Sequence, residues 1–175
     1  MVFDVFFAGT AAIATFIYVS PYGLIAFFFF ALFANATIFF PILVEPIVLA
    51  VAAFSPSLYF ALLVGVVAGV ASGIGEMSGY ILGLLGVKTL QKMSQKKVEK
   101  IFEIGERLAD RGIPIIFLGA LTPFPFDLMG IAAGIIRYSP KKFFLGALAG
   151  KLARYVLIAL AGFYALTWLK PLLGI

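Results

Sequence analysis

The sequence predicts an all-α integral membrane protein built as an inverted-topology repeat. Each half is expected to be a re-entrant hairpin followed by a long transmembrane helix, with an amphipathic cytoplasmic helix linking the two. Three observations carry this expectation. The chain is 63% hydrophobic with a mean hydropathy of +1.15, and apolar runs near 20 residues recur, enough to cross a hydrocarbon core of roughly 30 Å. Two of the apolar stretches are broken by prolines in a matching pattern. Finally, Glu45, Glu76, Asp127, Lys151 and Arg154 interrupt apolar segments where a charge is costly, about 2.5–3.5 kcal/mol at mid-helix for Asp, Lys or Arg.

Taken in order, the N-terminal stretch 1–34 is apolar from residue 5 onward but for small polar groups, with Ser20-Pro21-Tyr22-Gly23 in the middle. Thirty residues at about 1.5 Å each overshoot the membrane core. Either one long kinked helix or a short interfacial helix followed by a crossing satisfies this, with Pro21 favouring a break. Residues 35–87 form the first repeat, whose hairpin, 36–56, is punctuated by Pro41, Glu45, Pro46 and Ser55-Pro56. Pro41 and Pro46 are expected to shape it. The span at 57–87 carries Gly65, Gly69 and Gly73, then Gly75, Gly79 and Gly83. Such four-residue spacing lets another backbone approach closely, within the chain or in a homo-oligomer.

Residues 88–112 are the soluble-looking stretch. Seven bases (Lys88, Lys92, Lys96, Lys97, Lys100, Arg107, Arg111) outnumber four acids, and Val98, Ile101, Phe102, Gly105 and Leu108 share one helical face. This pattern predicts an amphipathic helix at the cytoplasmic interface, placed inside by its basic excess. The second repeat, 113–170, opens with a hairpin at 113–136 containing Pro123, Pro125 and Asp127, followed by a second basic loop at 137–142. A hairpin that enters and leaves on one side leaves both basic flanks in the cytoplasm. Broken backbone at that depth needs a protein or wet surround.

Sliding the chain by 84 positions brings Phe40-Pro41 onto Phe124-Pro125 and Ser55-Pro56 onto Ser139-Pro140. Phe33, Ile47, Phe60 and Tyr80 fall on Phe117, Ile131, Phe144 and Tyr164. One crossing separates the hairpins, so they open to opposite sides, as in secondary transporters.

The pieces resemble the DedA superfamily of VTT-domain (SNARE-associated) membrane proteins. They are Pro41-Ile-Leu-Val-Glu45-Pro46, Gly75-Glu76-Met-Ser-Gly79-Tyr80-Ile-Leu-Gly83, Pro123-Phe-Pro-Phe-Asp127 with Ala133-Gly134, and Gly150-Lys-Leu-Ala-Arg154-Tyr155. The resemblance spans about Asn35 to Tyr155 and implies facing re-entrant hairpins that move lipids between leaflets. Members are associated with undecaprenyl-phosphate recycling, phosphatidylethanolamine translocation and phospholipid scrambling. Many bacterial members carry an Arg before the second-hairpin proline; here Leu121-Thr122-Pro123 stands there, as in a Pro-x-Pro-x-Asp branch.

The site expected from these residues joins Glu45, Glu76, Asp127, Lys151 and Arg154. Lys151 and Arg154, three apart, share a helical face; Arg154 can grip a phosphate bidentately and Lys151 acts as a point charge. The rival reading is structural, Glu76 or Asp127 neutralising Arg154 to hold two helices in register, and interfacial placement competes for Glu45. Asn35 reads as a helix cap and Tyr80 as packing. The expected function is a lipid flippase or scramblase for phospholipid or polyprenyl phosphate, with membrane lipids and protons as partners. The alternative is a proton-coupled antiporter for small ions or drugs. The sequence has no Cys and no His, which argues against common nucleophilic and metal-centred lipid enzymes, and no metal or other cofactor is expected. The net charge of +5 sits mainly in two loops, so it reports topology and not nucleic-acid binding.

Overall fold

The computed structural model describes residues 2–36, 44–86, 94–123 and 125–173. Among the described residues there are nine α-helices and no strands: α1 (Val2–Val19), α2 (Gly23–Ala36), α3 (Val44–Ala53), α4 (Leu58–Gly75), α5 (Met77–Leu84), α6 (Gln95–Arg111), α7 (Ile113–Leu121), α8 (Phe126–Ile135) and α9 (Pro140–Leu173). Among the described residues, two stretches are long and apolar enough to cross a membrane, Leu58–Leu84 and Pro140–Ala165. The helix α9 runs past Lys170-Pro171, where the sequence suggests a stop.

The N-terminal stretch breaks at Pro21, as its ring demands. A turn bonds the Gly23 amide to the Ser20 carbonyl at 3.0 Å, and α1 and α2 are separate helices. In α3, Pro46 sits in the first turn, where its missing N–H costs nothing. Pro123 lies in the turn between α7 and α8, and Pro125 is the N-cap of α8. Pro41 falls outside the described residues. The helix α2 continues to Ala36, so the element preceding α3 begins well before the hairpin boundary at 36 that the sequence suggests.

Helix lengths separate two kinds of element. At about 1.5 Å per residue, α3, α7 and α8 are roughly 13–15 Å long, half the hydrocarbon thickness. The span α4–α5 is nearly continuous, its junction residue Glu76 keeping helical angles (φ −63°, ψ −17°).

Packing follows a swapped pattern. Helix α2 lies on α4 as α7 lies on α9, while α3 packs on α9 and α8 on α5; α4 and α9 pack along each other at the centre. Glycines set the central contact. A Cβ on Gly65, Gly69 or Gly73 would come within 2.8, 2.8 and 3.0 Å of Tyr155, Leu152 and Leu148 backbone on α9. This row is therefore occupied inside the chain and offers no face to a second copy. Gly79 and Gly83 meet Gly130 and Gly134 in the same way, bringing α5 and α8 backbone to backbone.

The apolar stripe of α6 is covered by protein. Ile101, Ile104 and Leu108 are buried in a cluster with Tyr80, Ile116 and Phe143, and α6 packs on α8 and α7. Phe102, which the helical wheel places on this face, is 52% exposed. The amphipathic period is real, but it faces the protein's own core where an interfacial helix would face lipid.

Candidate functional site

Four helix ends converge on one face of α9. Asn35 closes α2, Thr122 caps α7, and Glu45 and Asp127 occupy the first turns of α3 and α8. Glu76 sits at the α4–α5 junction, and Lys151 and Arg154 project from α9 one turn apart. The placement is electrostatically consistent. Acids sit at N-terminal turns, where the helix dipole favours them, and a cation meets a C-terminal carbonyl.

Two ion pairs form at different depths. The inner pair joins Lys151 Nζ to Glu76 Oε1 at 2.5 Å, with side chains 5% and 4% exposed. Lys151 also donates to Asn35 Oδ1 at 3.4 Å and lies 5.5 Å from the centroid of the Phe126 ring. The outer pair joins Arg154 Nη2 to Glu45 Oε1, with side chains 13% and 37% exposed. Arg154 Nη1 donates to the Thr122 carbonyl at 2.7 Å. One guanidinium thus bridges the start of α3 and the end of α7.

Asp127 is half-buried and acts electrostatically with Lys151 and Glu76, without a direct ion pair among the described residues. Three acids against two bases leave the cluster formally one unit negative. Glu76 Oε2 at the α4–α5 junction and Ser72 Oγ, four residues earlier on α4, are buried without a hydrogen-bond partner among the described residues. Such groups are rare in native interiors and are commonly satisfied by water or ligand.

All five charged residues expected from the sequence thus lie in one neighbourhood, with a division the sequence leaves open. Glu76 pairs with Lys151 and Glu45 with Arg154, so the clamp between an acid and Arg154 involves Glu45, in place of Glu76 or Asp127. Asn35, read as a cap, is 1% exposed and accepts from Lys151, while its Nδ2 donates to the Ala31 carbonyl at 2.9 Å. Thr122, Phe126 and Ser72 were not foreseen. Ser72 had one signal, its position four residues before Glu76, but a small hydroxyl in an apolar helix is ordinarily silent. Tyr80 packs against Phe143 and donates its hydroxyl to the Tyr138 carbonyl at 2.5 Å, a strap at the base of α8.

Among the described residues no group of three or more His, Cys, Asp or Glu side chains is arranged to hold a metal ion. A family model described as the VTT domain matches residues 40–164, which contain every member of the cluster except Asn35. No curated protein and no solved structure shows a significant match.

Proposed function

Since the chain belongs to the VTT-domain family, the domain of the DedA membrane proteins, we propose that it is a lipid transporter, a flippase or scramblase that moves phospholipid or polyprenyl-phosphate headgroups past the Arg154 site. The family is generally of membrane proteins thought to be transporters, and the lipid reading goes one step further. The observation that carries it is the outer ion pair. Arg154 and Glu45 are held between broken helix ends, partly open, beside a fully buried pair.

The two pairs suit different tasks. Lys151 and Glu76 are enclosed and serve as scaffold. Glu45 is the most exposed partner, so a phosphate can displace it and take the planar, two-pronged guanidinium. The free ends of α3 and α8 add N–H donors for an anion. Asp127, without an ion-pair partner among the described residues, is the member we assign to proton exchange.

The swapped packing supports an inverted repeat. In it α2–α3 and α7–α8 are re-entrant hairpins and α4–α5 and α9 are the long helices that follow. The half-membrane lengths of α3, α7 and α8 fit this arrangement. Residues 88–112 and 137–142 then face the cytoplasm by their basic excess.

The test is flip-flop of fluorescent phospholipids and a polyprenyl phosphate in proteoliposomes, with Asp127→Asn and Arg154→Ala beside the native chain. Loss in both variants, with folding intact, supports the pathway. Native rates in both would sink it. No flip-flop of any lipid, with solute-driven pH changes in sealed vesicles, would select the antiporter, for which the unpartnered oxygen of Glu76 would be the first ion site to examine.

A further inference from the structure

Beside the second pair of short helices lies a groove of about 420 Å³ that the charged cluster does not use. Its volume falls within the roughly 300–1,000 Å³ typical of small-ligand sites. One rim is charged, with Lys100, Glu103 and Arg107 on α6, while Ile115, Leu118 and Met129 supply apolar walls from α7 and α8. Along α7 it runs from Ile115 to Thr122, about 10 Å at 1.5 Å per residue. At Thr122 it reaches the residue whose carbonyl holds Arg154.

From this geometry we infer that the groove binds a phospholipid from the leaflet on the α6 side, one acyl chain along α7 and the phosphate at the Lys100–Arg107 rim, and delivers it toward Arg154. The inference rests on the lipid-transport reading and names its loading path. Three features select this occupant. The rim presents Arg107, whose guanidinium sits in a solvent-exposed pair with Glu103 and is matched in charge to an anionic phosphate. The walls are apolar and open, Leu118 being 54% exposed, which suits a chain drawn sideways from lipid. The far end reaches Thr122, whose carbonyl accepts from the guanidinium that the transport reading assigns to the headgroup. Glu103 and Arg107 pair at 2.6 Å with both side chains largely exposed, so a phosphate can recruit Arg107 at little cost.

The experiment uses proteoliposomes containing a phospholipid with a photoreactive diazirine in its acyl chain. After irradiation, labelled positions are mapped by mass spectrometry. Leu157 on α9, 57% exposed, is the control for lipid that merely surrounds the protein. Labelling at Leu118 and Met129 is expected to exceed that at Leu157 several-fold, and Arg107→Glu to lower the groove signal several-fold while leaving Leu157 unchanged. Leu118→Trp, which fills the groove from an exposed position, is expected to slow flip-flop several-fold, and Leu157→Trp to leave it unaltered. Even labelling of Leu118 and Leu157, or a groove signal indifferent to Arg107→Glu, overturns the proposal even where flip-flop is rapid. Selective groove labelling without any flip-flop keeps the binding site and removes the transport reading.

Discussion

Replacing Lys151 by methionine strips the counter-charge from Glu76 while leaving a side chain of similar length. Both partners are almost fully enclosed, and Glu76 Oε2 already lacks a hydrogen-bond partner among the described residues. The variant therefore leaves a buried carboxylate with no cation in contact, and with Asp127 and Arg154 as the other charges that act on it. Breaking a buried pair from one side costs about 3–5 kcal/mol. At roughly 2–4 °C per kcal/mol for a chain of this size, the midpoint should fall by about 6–20 °C. Removing both charges, as Glu76→Gln with Lys151→Met, should recover most of that loss, because the penalty belongs to the orphaned charge. Arg154→Gln should cost less than Lys151→Met, because its partner Glu45 is 37% exposed where Glu76 is 4% exposed. Thermal unfolding of the detergent-solubilised chain, followed by size-exclusion fluorescence, reads the three variants against the native chain. Equal losses for Lys151→Met and Arg154→Gln, or a double variant as unstable as the single, would refute the two-depth description.

Three further outcomes follow from backbone geometry. Gly83→Ala places a methyl group against the Ile131 carbonyl and 2.9 Å from the Gly134 Cα. Overpacking of this kind costs roughly 1–3 kcal/mol. By contrast, Gly9→Ala in α1 meets nothing within 4 Å, and helix propensity favours alanine there by up to about 1 kcal/mol, so its midpoint should hold or rise. Arg137 follows α8 with φ 52°, closing a Schellman turn in which the Tyr138 amide bonds the Ala133 carbonyl at 2.8 Å. Arg137→Gly should raise stability by about 0.5–1 kcal/mol by relieving the left-handed conformation, and a lowered midpoint would show that the arginine makes a compensating contact.

The neighbourhood of the site was legible because charge is rare in apolar sequence. Five ionisable residues had few other places to go, and the spacing of Lys151 and Arg154 placed them on one face. Their pairing was not legible. Whether Glu76 meets Lys151 or Arg154 depends on how α4 slides along α9, and one helical turn, about 5.4 Å, would exchange the partners. That register is set by Gly65, Gly69 and Gly73 seated on Tyr155, Leu152 and Leu148, a contact between segments some 80 residues apart. Asn35 was misread for a related reason. An amide near a helix end looks like a cap in sequence, and only tertiary contact brings Lys151 to it. The stripe on α6 shows a different limit. A period of 3.6 announces an apolar face but carries no information on whether protein or bilayer covers it.

Arg154 separates charge from geometry. Its Nη1 and Nη2 hold two different elements, the Thr122 carbonyl after α7 and the Glu45 carboxylate in the first turn of α3. A lysine keeps the charge but has one nitrogen on a compact head, so it can satisfy one of these partners and not both at their present spacing. Arg154→Lys keeps the charge and is therefore expected to cost less stability than Lys151→Met. The join between the two broken segments is lost all the same. If transport needs only a positive charge at this point, Arg154→Lys will move lipid as the native chain does. If it needs the fork, both to hold the helix ends and to grip a phosphate with two bonds, flip-flop will fall toward the Arg154→Ala level. The second outcome is the one the geometry requires, because each nitrogen already has its own task before any lipid arrives.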